Sequence, residues 1–74
     1  MSQLTLRPNR ALRDARTEHG LTLRELAYFS SVSHSTIARL ERGDLDVAPA
    51  LKARIARALR TPVSELWAVE EEDE

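Results

Sequence analysis

Residues 22–43, TLRELAYFSSVSHSTIARLERG, decide how this 74-residue chain folds. Thr22-Leu23-Arg24-Glu25 has capping-box spacing, in which a hydroxyl and a carboxylate each satisfy an orphan backbone N–H of a new helix. Leu23, Leu26 and Ala27 then recur at helical spacing and carry the segment to Phe29 or Ser30. Ser31-Val32-Ser33 is a short break, and Ser33 suits the N-cap of a further helix, about residues 33–42, whose apolar residues are Ile37 and Leu40 and which stops before Gly43. Two short capped helices about a three-residue break make a helix-turn-helix.

The flanks read the same way. Pro8-Asn9 precedes Leu12 and Ala15, and Gly20 follows them in a position suited to a left-handed cap, which predicts a first helix over about 9–19. Gly43 to Ala48 reads as a loop and Pro49 as the first residue of a helix carrying Leu51, Ile55, Ala58 and Leu59. Thr61-Pro62 repeats the cap-then-proline start for a last short helix with Val63, Leu66 and Trp67. No segment alternates like a strand, so the fold class is all-α, with five helices. The division is an N-terminal arm over 1–8, one domain over 9–69 and a disordered acidic tail over 70–74.

Composition narrows the function classes. With no Cys there are no disulfides, thiolate metal sites or cysteine nucleophiles, in keeping with a reducing compartment. The absence of a long apolar run argues against a membrane span, residues 1–10 carry no signal-like stretch, and the expected location is cytoplasmic, at the nucleoid. The net charge of -1 hides an asymmetry: Glu70, Glu71, Glu72, Asp73 and Glu74 hold five of the 12 acids, and residues 1–69 stand at +4. That body suits an anionic partner or an ordinary surface equally.

The quoted stretch resembles the Cro and phage-repressor family of DNA-binding domains, roughly [ST]-x-x-x-L-A-x-x-x-G-V-S-x-x-x-I-x-x-[LIW]-E-x-G. Thr22, Leu26, Ala27, Val32, Ser33, Ile37, Leu40, Glu41 and Gly43 fall in register, and the likeness extends over about residues 9–67. The resemblance implies a compact lambda-repressor-like domain and a sequence-specific regulator, more often a repressor, that binds double-stranded DNA as a homodimer on a pseudo-palindromic operator. It places base-reading positions on His34, Ser35 and Arg39, with Thr36 and Ala38 as neighbours, and a backbone anchor on Thr22 and Arg24. Ser33, Arg42 and the basic residues of the first helix, chiefly Arg10, are further candidates for phosphate. By the same resemblance Arg16 and Glu41 form a structural ion pair. Helical spacing supports the assignment independently, since Ser35, Ala38, Arg39 and Arg42 share the side of their helix opposite Ile37 and Leu40. Arg39 on that side can bridge guanine O6 and N7, or simply be a solvated arginine.

The chain departs from the pattern at several points. Ser31 replaces the usual turn glycine, which predicts a side-chain-bearing residue in a left-handed backbone. Leu23 stands where many members carry a glutamine, and Asp44 and Asp46 lie in a loop that relatives often make basic, which weakens DNA affinity unless the duplex bypasses it. Tyr28 and Phe29 occupy commonly polar positions: they form an interface, or one ring fills space beside Ser31 while the other keeps its hydroxyl in water. Trp67 reads as core or as part of a dimer contact. The acidic tail is a solvated segment, or it competes with DNA for the basic body.

An enzyme is not expected, because His19 and His34 are the only histidines and no nucleophile, base and orienter can be assembled. No metal or cofactor is called for. The competing class is a protein-interaction module of the same fold, antitoxin-like or a regulatory partner, that binds protein through Tyr28, Phe29 or Trp67.

Overall fold

The computed structural model describes residues 7–67. These form α1 (Arg10–Glu18), α2 (Leu23–Ser30), α3 (His34–Arg42), α4 (Pro49–Leu59) and α5 (Val63–Leu66), with no strand among the described residues. The acidic run and all but the end of the N-terminal arm lie outside them.

Local chemistry sets most helix ends. The Asn9 side chain accepts from the Leu12 N–H, Thr22 and Glu25 close the full capping box on α2, and the Ser33 hydroxyl accepts from the Thr36 N–H. At the C-terminus of α1, Gly20 and Leu21 donate back to the Thr17 and Arg16 carbonyls, the paired bonds of a Schellman cap with Gly20 at φ +70°. The end of α3 repeats it with Gly43, and that of α4 with Arg60, a side-chain-bearing residue at φ +53°. Ser31, at φ 61° and ψ 33°, holds the left-handed turn between α2 and α3, where the family has glycine. The start of α5 differs from the expected cap-then-proline: Pro62 is itself the N-cap, and the Thr61 hydroxyl donates to the Leu59 carbonyl instead.

The core is Leu12, Leu26, Val32, Ile37, Leu40, Ile55, Ala56, Leu59 and Leu66, drawn from every helix and from the turn. α2 packs on α3 and α4, while α5 bridges α1 and α4. Each large aliphatic buried this way stabilises the fold by about 1.5–3 kcal/mol. Val63 is 38% exposed rather than inward, because α5 is a single turn that can point only Leu66 at the core. Ser30 is buried, and its hydroxyl donates to the Leu26 carbonyl at 2.7 Å.

One ion pair fixes α3 relative to α1. The Arg16 guanidinium donates from Nε and Nη2 to the two oxygens of Glu41 (2.6 and 3.0 Å) and from Nη1 to the Leu21 carbonyl (2.9 Å). Both side chains are largely buried, 13% and 9% exposed. The hydrogen bond to Glu41 raises the guanidinium's pKa further, against the opposing effect of burial, so Arg16 stays charged. The Glu41 carbonyl also accepts from the Asn9 N–H at 3.0 Å, so the chain entering α1 is tied to the same turn of α3.

A Cβ at Gly43 would lie 2.5 Å from the Arg7 carbonyl group, whereas one at Gly20 would meet nothing. Gly20→Ala is therefore expected to cost only the left-handed penalty, about 1 kcal/mol, and Gly43→Ala at least about 2–3 kcal/mol, measured by urea unfolding. Arg16→Leu or Glu41→Leu alone should destabilise by about 2–4 kcal/mol, while the double substitution should recover much of that loss. Additive losses in this cycle would show that the pair is not coupled.

Candidate nucleic-acid interface

With Ile37 and Leu40 buried and Glu41 held by Arg16, α3 has one side left for solvent. Ser35, Arg39 and Arg42 on that side are exposed and Ala38 is half-buried, so a small residue sits between two guanidiniums. His34 and Thr36 are half-buried in the first turn. The Ser33 hydroxyl donates to Thr36 Oγ1 at 3.0 Å and lies 3.3 Å from Ser35 Oγ, so three hydroxyls cluster at the start of the helix. Arg39 makes no ion pair or side-chain hydrogen bond among the described residues.

Depressions flank this face on both sides. One, about 400 Å³, is lined by Arg24, Tyr28, Ser33 and His34 and brings the start of α2 alongside the start of α3. At that end of α2 the capping box uses the Thr22 and Glu25 N–H groups, which leaves the Leu23 and Arg24 N–H groups and the Arg24 side chain as donors. The second depression, about 260 Å³, is lined by Arg13, Leu23, Ala38 and Arg42 together with the Arg16–Glu41 pair. Besides the paired Arg16, Arg13 is the α1 base beside α3; Arg10, the candidate named from sequence, is exposed in the first turn of α1 and does not line this depression. The helical spacing within α1 separates the two, but choosing between them required knowing which side of α1 meets α3. Leu23 is half-buried against the core and offers no side-chain hydrogen bond here.

The aspartates of the α3–α4 loop are both engaged. Asp44 accepts from Arg42 Nε at 3.0 Å and Asp46 pairs with Lys52 Nζ at 3.2 Å, which offsets part of their unfavourable field on a nearby phosphate and occupies Arg42 at the same time. Tyr28 and Phe29 are 80% and 61% exposed and meet edge to face with centroids 5.3 Å apart. The expectation that one ring fills space beside Ser31 fails, because the last turn of α2 directs Leu26 and Ser30 inward and both rings outward. Trp67 is half-buried against the core, with Lys52 Nζ 5.6 Å from its ring, and lines a cleft with Arg7, Asn9 and Leu40 rather than joining the two α2 rings. Among the described residues no group of three or more His, Cys, Asp or Glu is placed to hold a metal, and no helix is long and apolar enough to cross a membrane.

Comparison with known proteins places this geometry. A family profile described as a helix-turn-helix domain matches residues 10–68. The competence pilus inhibition repressor of Acinetobacter baylyi is 37% identical over 62 residues, which cover 84% of this chain and 56% of that protein, so the chain spans little more than half of its length. The restriction-modification controller protein C.AhdI from Aeromonas hydrophila superposes with a TM-score of 0.75 at 33% identity, covering 78% of this chain and 88% of the controller. The clp gene regulator ClgR from Corynebacterium glutamicum superposes with a TM-score of 0.71 at 41% identity, covering 78% and 75%. An α3 with one uncovered, arginine-bearing side, carried on five helices that match these regulators over most of the described residues, leads to one assignment: the chain belongs to the helix-turn-helix family of DNA-binding transcriptional regulators, with the lambda-repressor-like architecture.

Proposed function

We propose that this protein is a sequence-specific repressor that binds a pseudo-palindromic operator as a homodimer, with α3 of each copy in the major groove. The observation that carries the proposal is the outward side of α3, where Ser35, Arg39 and Arg42 are exposed and Ala38 half-buried among the described residues, with Arg24 and Arg13 flanking them. Ala38 permits close approach to the groove floor, Arg39 reaches guanine, and His34, Ser35 and Thr36 meet base edges from the first turn. Thr22, Arg24, Ser33, Arg42 and Arg10 hold phosphates and set the register without reading sequence. The repressor sign and the dimer rest on similarity to a competence pilus inhibition repressor and a restriction-modification controller. In this reading the protein carries no catalytic site and works in the cytoplasm.

A second reading, a protein-interaction module of the same fold, is favoured by one observation, the exposure of both Tyr28 and Phe29. It differs in what it requires of Arg39.

Selection of bound duplexes from a random library should enrich half-sites about 10 to 10.5 base pairs apart. Arg39→Ala should leave the fold intact and remove about 1–3 kcal/mol of discrimination at one base pair, roughly 5- to 150-fold. Absence of enrichment with the wild-type chain, at low and near-physiological salt alike, would favour the interaction module. Asp44→Asn, which releases Arg42, should raise affinity for all duplexes by about two- to fivefold and steepen the salt dependence, measured by fluorescence anisotropy.

A further inference from the structure

Tyr28 and Phe29 touch each other yet line different surfaces. Phe29 lines a groove together with Arg54, Arg57 and Arg60, whereas Tyr28 lines the depression of about 400 Å³ between α2 and the start of α3. Five side chains around that depression, those of Arg24, Tyr28, Ser31, Ser33 and His34, carry N–H or O–H donors; its other lining residues are apolar, and no carboxylate lines it. Arg24, Tyr28, Ser31 and His34 make no ion pair or side-chain hydrogen bond among the described residues. Arg24 and Tyr28 stand four residues apart on α2, the spacing that sets two side chains on one side of a helix. The first turn of α3 opens beside them, with the His34 and Ser35 N–H groups ahead of the first intrahelical bond. Donors gathered without an acceptor make a seat for an anion.

We propose that this depression seats one phosphate of the bound duplex and that the Tyr28 hydroxyl donates to it beside the Arg24 guanidinium, an inference that rests on α3 entering the major groove. In a helix-turn-helix docked that way the first helix of the motif crosses the sugar-phosphate backbone, and α2 is that helix here. The anion it meets is therefore a phosphodiester. Tyr28 is 80% exposed and adds little to the core, but its edge-to-face contact with Phe29, at 5.3 Å between centroids, limits where the ring can point. The hydroxyl is then placed at a smaller cost in side-chain entropy than a freely turning ring would incur. A neutral donor of this kind fixes the register of the protein on the backbone without reading a base and without displacing a counterion.

Affinities measured by fluorescence anisotropy, for the operator selected by the wild-type chain and for its single-base variants, test the assignment. Tyr28→Phe should weaken binding to all of these duplexes alike by about two- to tenfold, the effect of losing one hydrogen bond to a phosphate. The ranking of the base variants, the slope of affinity against salt and the urea unfolding midpoint should not change. Arg24→Gln should weaken binding as well, but should also lower the salt slope by about one. In a scan of operators that each carry one neutral methylphosphonate, the wild type and Tyr28→Phe should bind nearly equally at a single position, where the charged acceptor is already gone. A loss confined to one base variant would assign Tyr28 to base reading and overturn the proposal, as would a Tyr28→Phe effect that persists at full size on every methylphosphonate duplex. An enriched operator bound equally by the wild type and Tyr28→Phe would overturn this inference alone. A wild-type chain that enriches no duplex would overturn it together with the operator reading.

Discussion

The bidentate pair between Arg16 and Glu41 is the constraint from which the working surface follows. A guanidinium that spends Nε and Nη2 on one carboxylate and Nη1 on the Leu21 carbonyl joins α1, the α1–α2 turn and α3 through one planar group. The Asn9 N–H adds a backbone bond to the same residue of α3. Aliphatic packing of Ile37 and Leu40 holds α3 in the domain but tolerates some rotation about its axis; a planar two-point contact does not. Such a pair adds little net stability against a hydrophobic replacement, so its value here is orientation: it decides which side of α3 faces out.

Charge in this protein is a local quantity. The overall net charge of -1 would suggest indifference to nucleic acid, yet Arg39 projects from α3 with no ion pair among the described residues and with Arg24 and Arg13 flanking that face. The loop aspartates, which from sequence oppose an anionic partner, are partnered by Arg42 and Lys52. Arg54 and Arg57 of α4 and its cap residue Arg60 line a separate groove together with Phe29. Fields from exposed groups separated by more than about 8 Å are largely screened at physiological ionic strength, so the charges lining a surface weigh more on an anionic partner there than the sum over the chain.

Helix ends and the core were legible because they depend on nearest neighbours. Thr22 with Glu25, Asn9 with Leu12 and Ser33 with Thr36 are contacts three residues apart, and the left-handed backbone of Ser31, Gly20 and Gly43 follows from where a helix must stop. Period alone picked out an apolar set that contains Leu12, Leu26, Ile37, Leu40, Ile55, Leu59 and Leu66, all buried, together with Ala15, Leu23, Ala27, Leu51, Ala58 and Trp67, which are half-buried; it did not pick out the buried Val32 and Ala56. It misjudged Val63, because a one-turn helix has no sustained face, and it could not decide the fate of Tyr28 and Phe29, because which side of α2 is covered depends on how α3 and α4 pack against it.

By itself, then, the sequence determined the helices, the caps of α1, α2 and α3, the apolar stripe of every helix but the one-turn α5, and the membership of a helix-turn-helix family, all of which rest on spacing along one chain. Only the tertiary structure decided that Arg13 and not Arg10 lies beside Ala38 and Arg42, that the loop aspartates are paired, and that Arg54, Arg57 and Arg60 share a groove with Phe29. Those outcomes depend on how one helix is rotated against another, and that rotation is set by contacts between residues such as Arg16 and Glu41, 25 positions apart, about which local pattern carries no information.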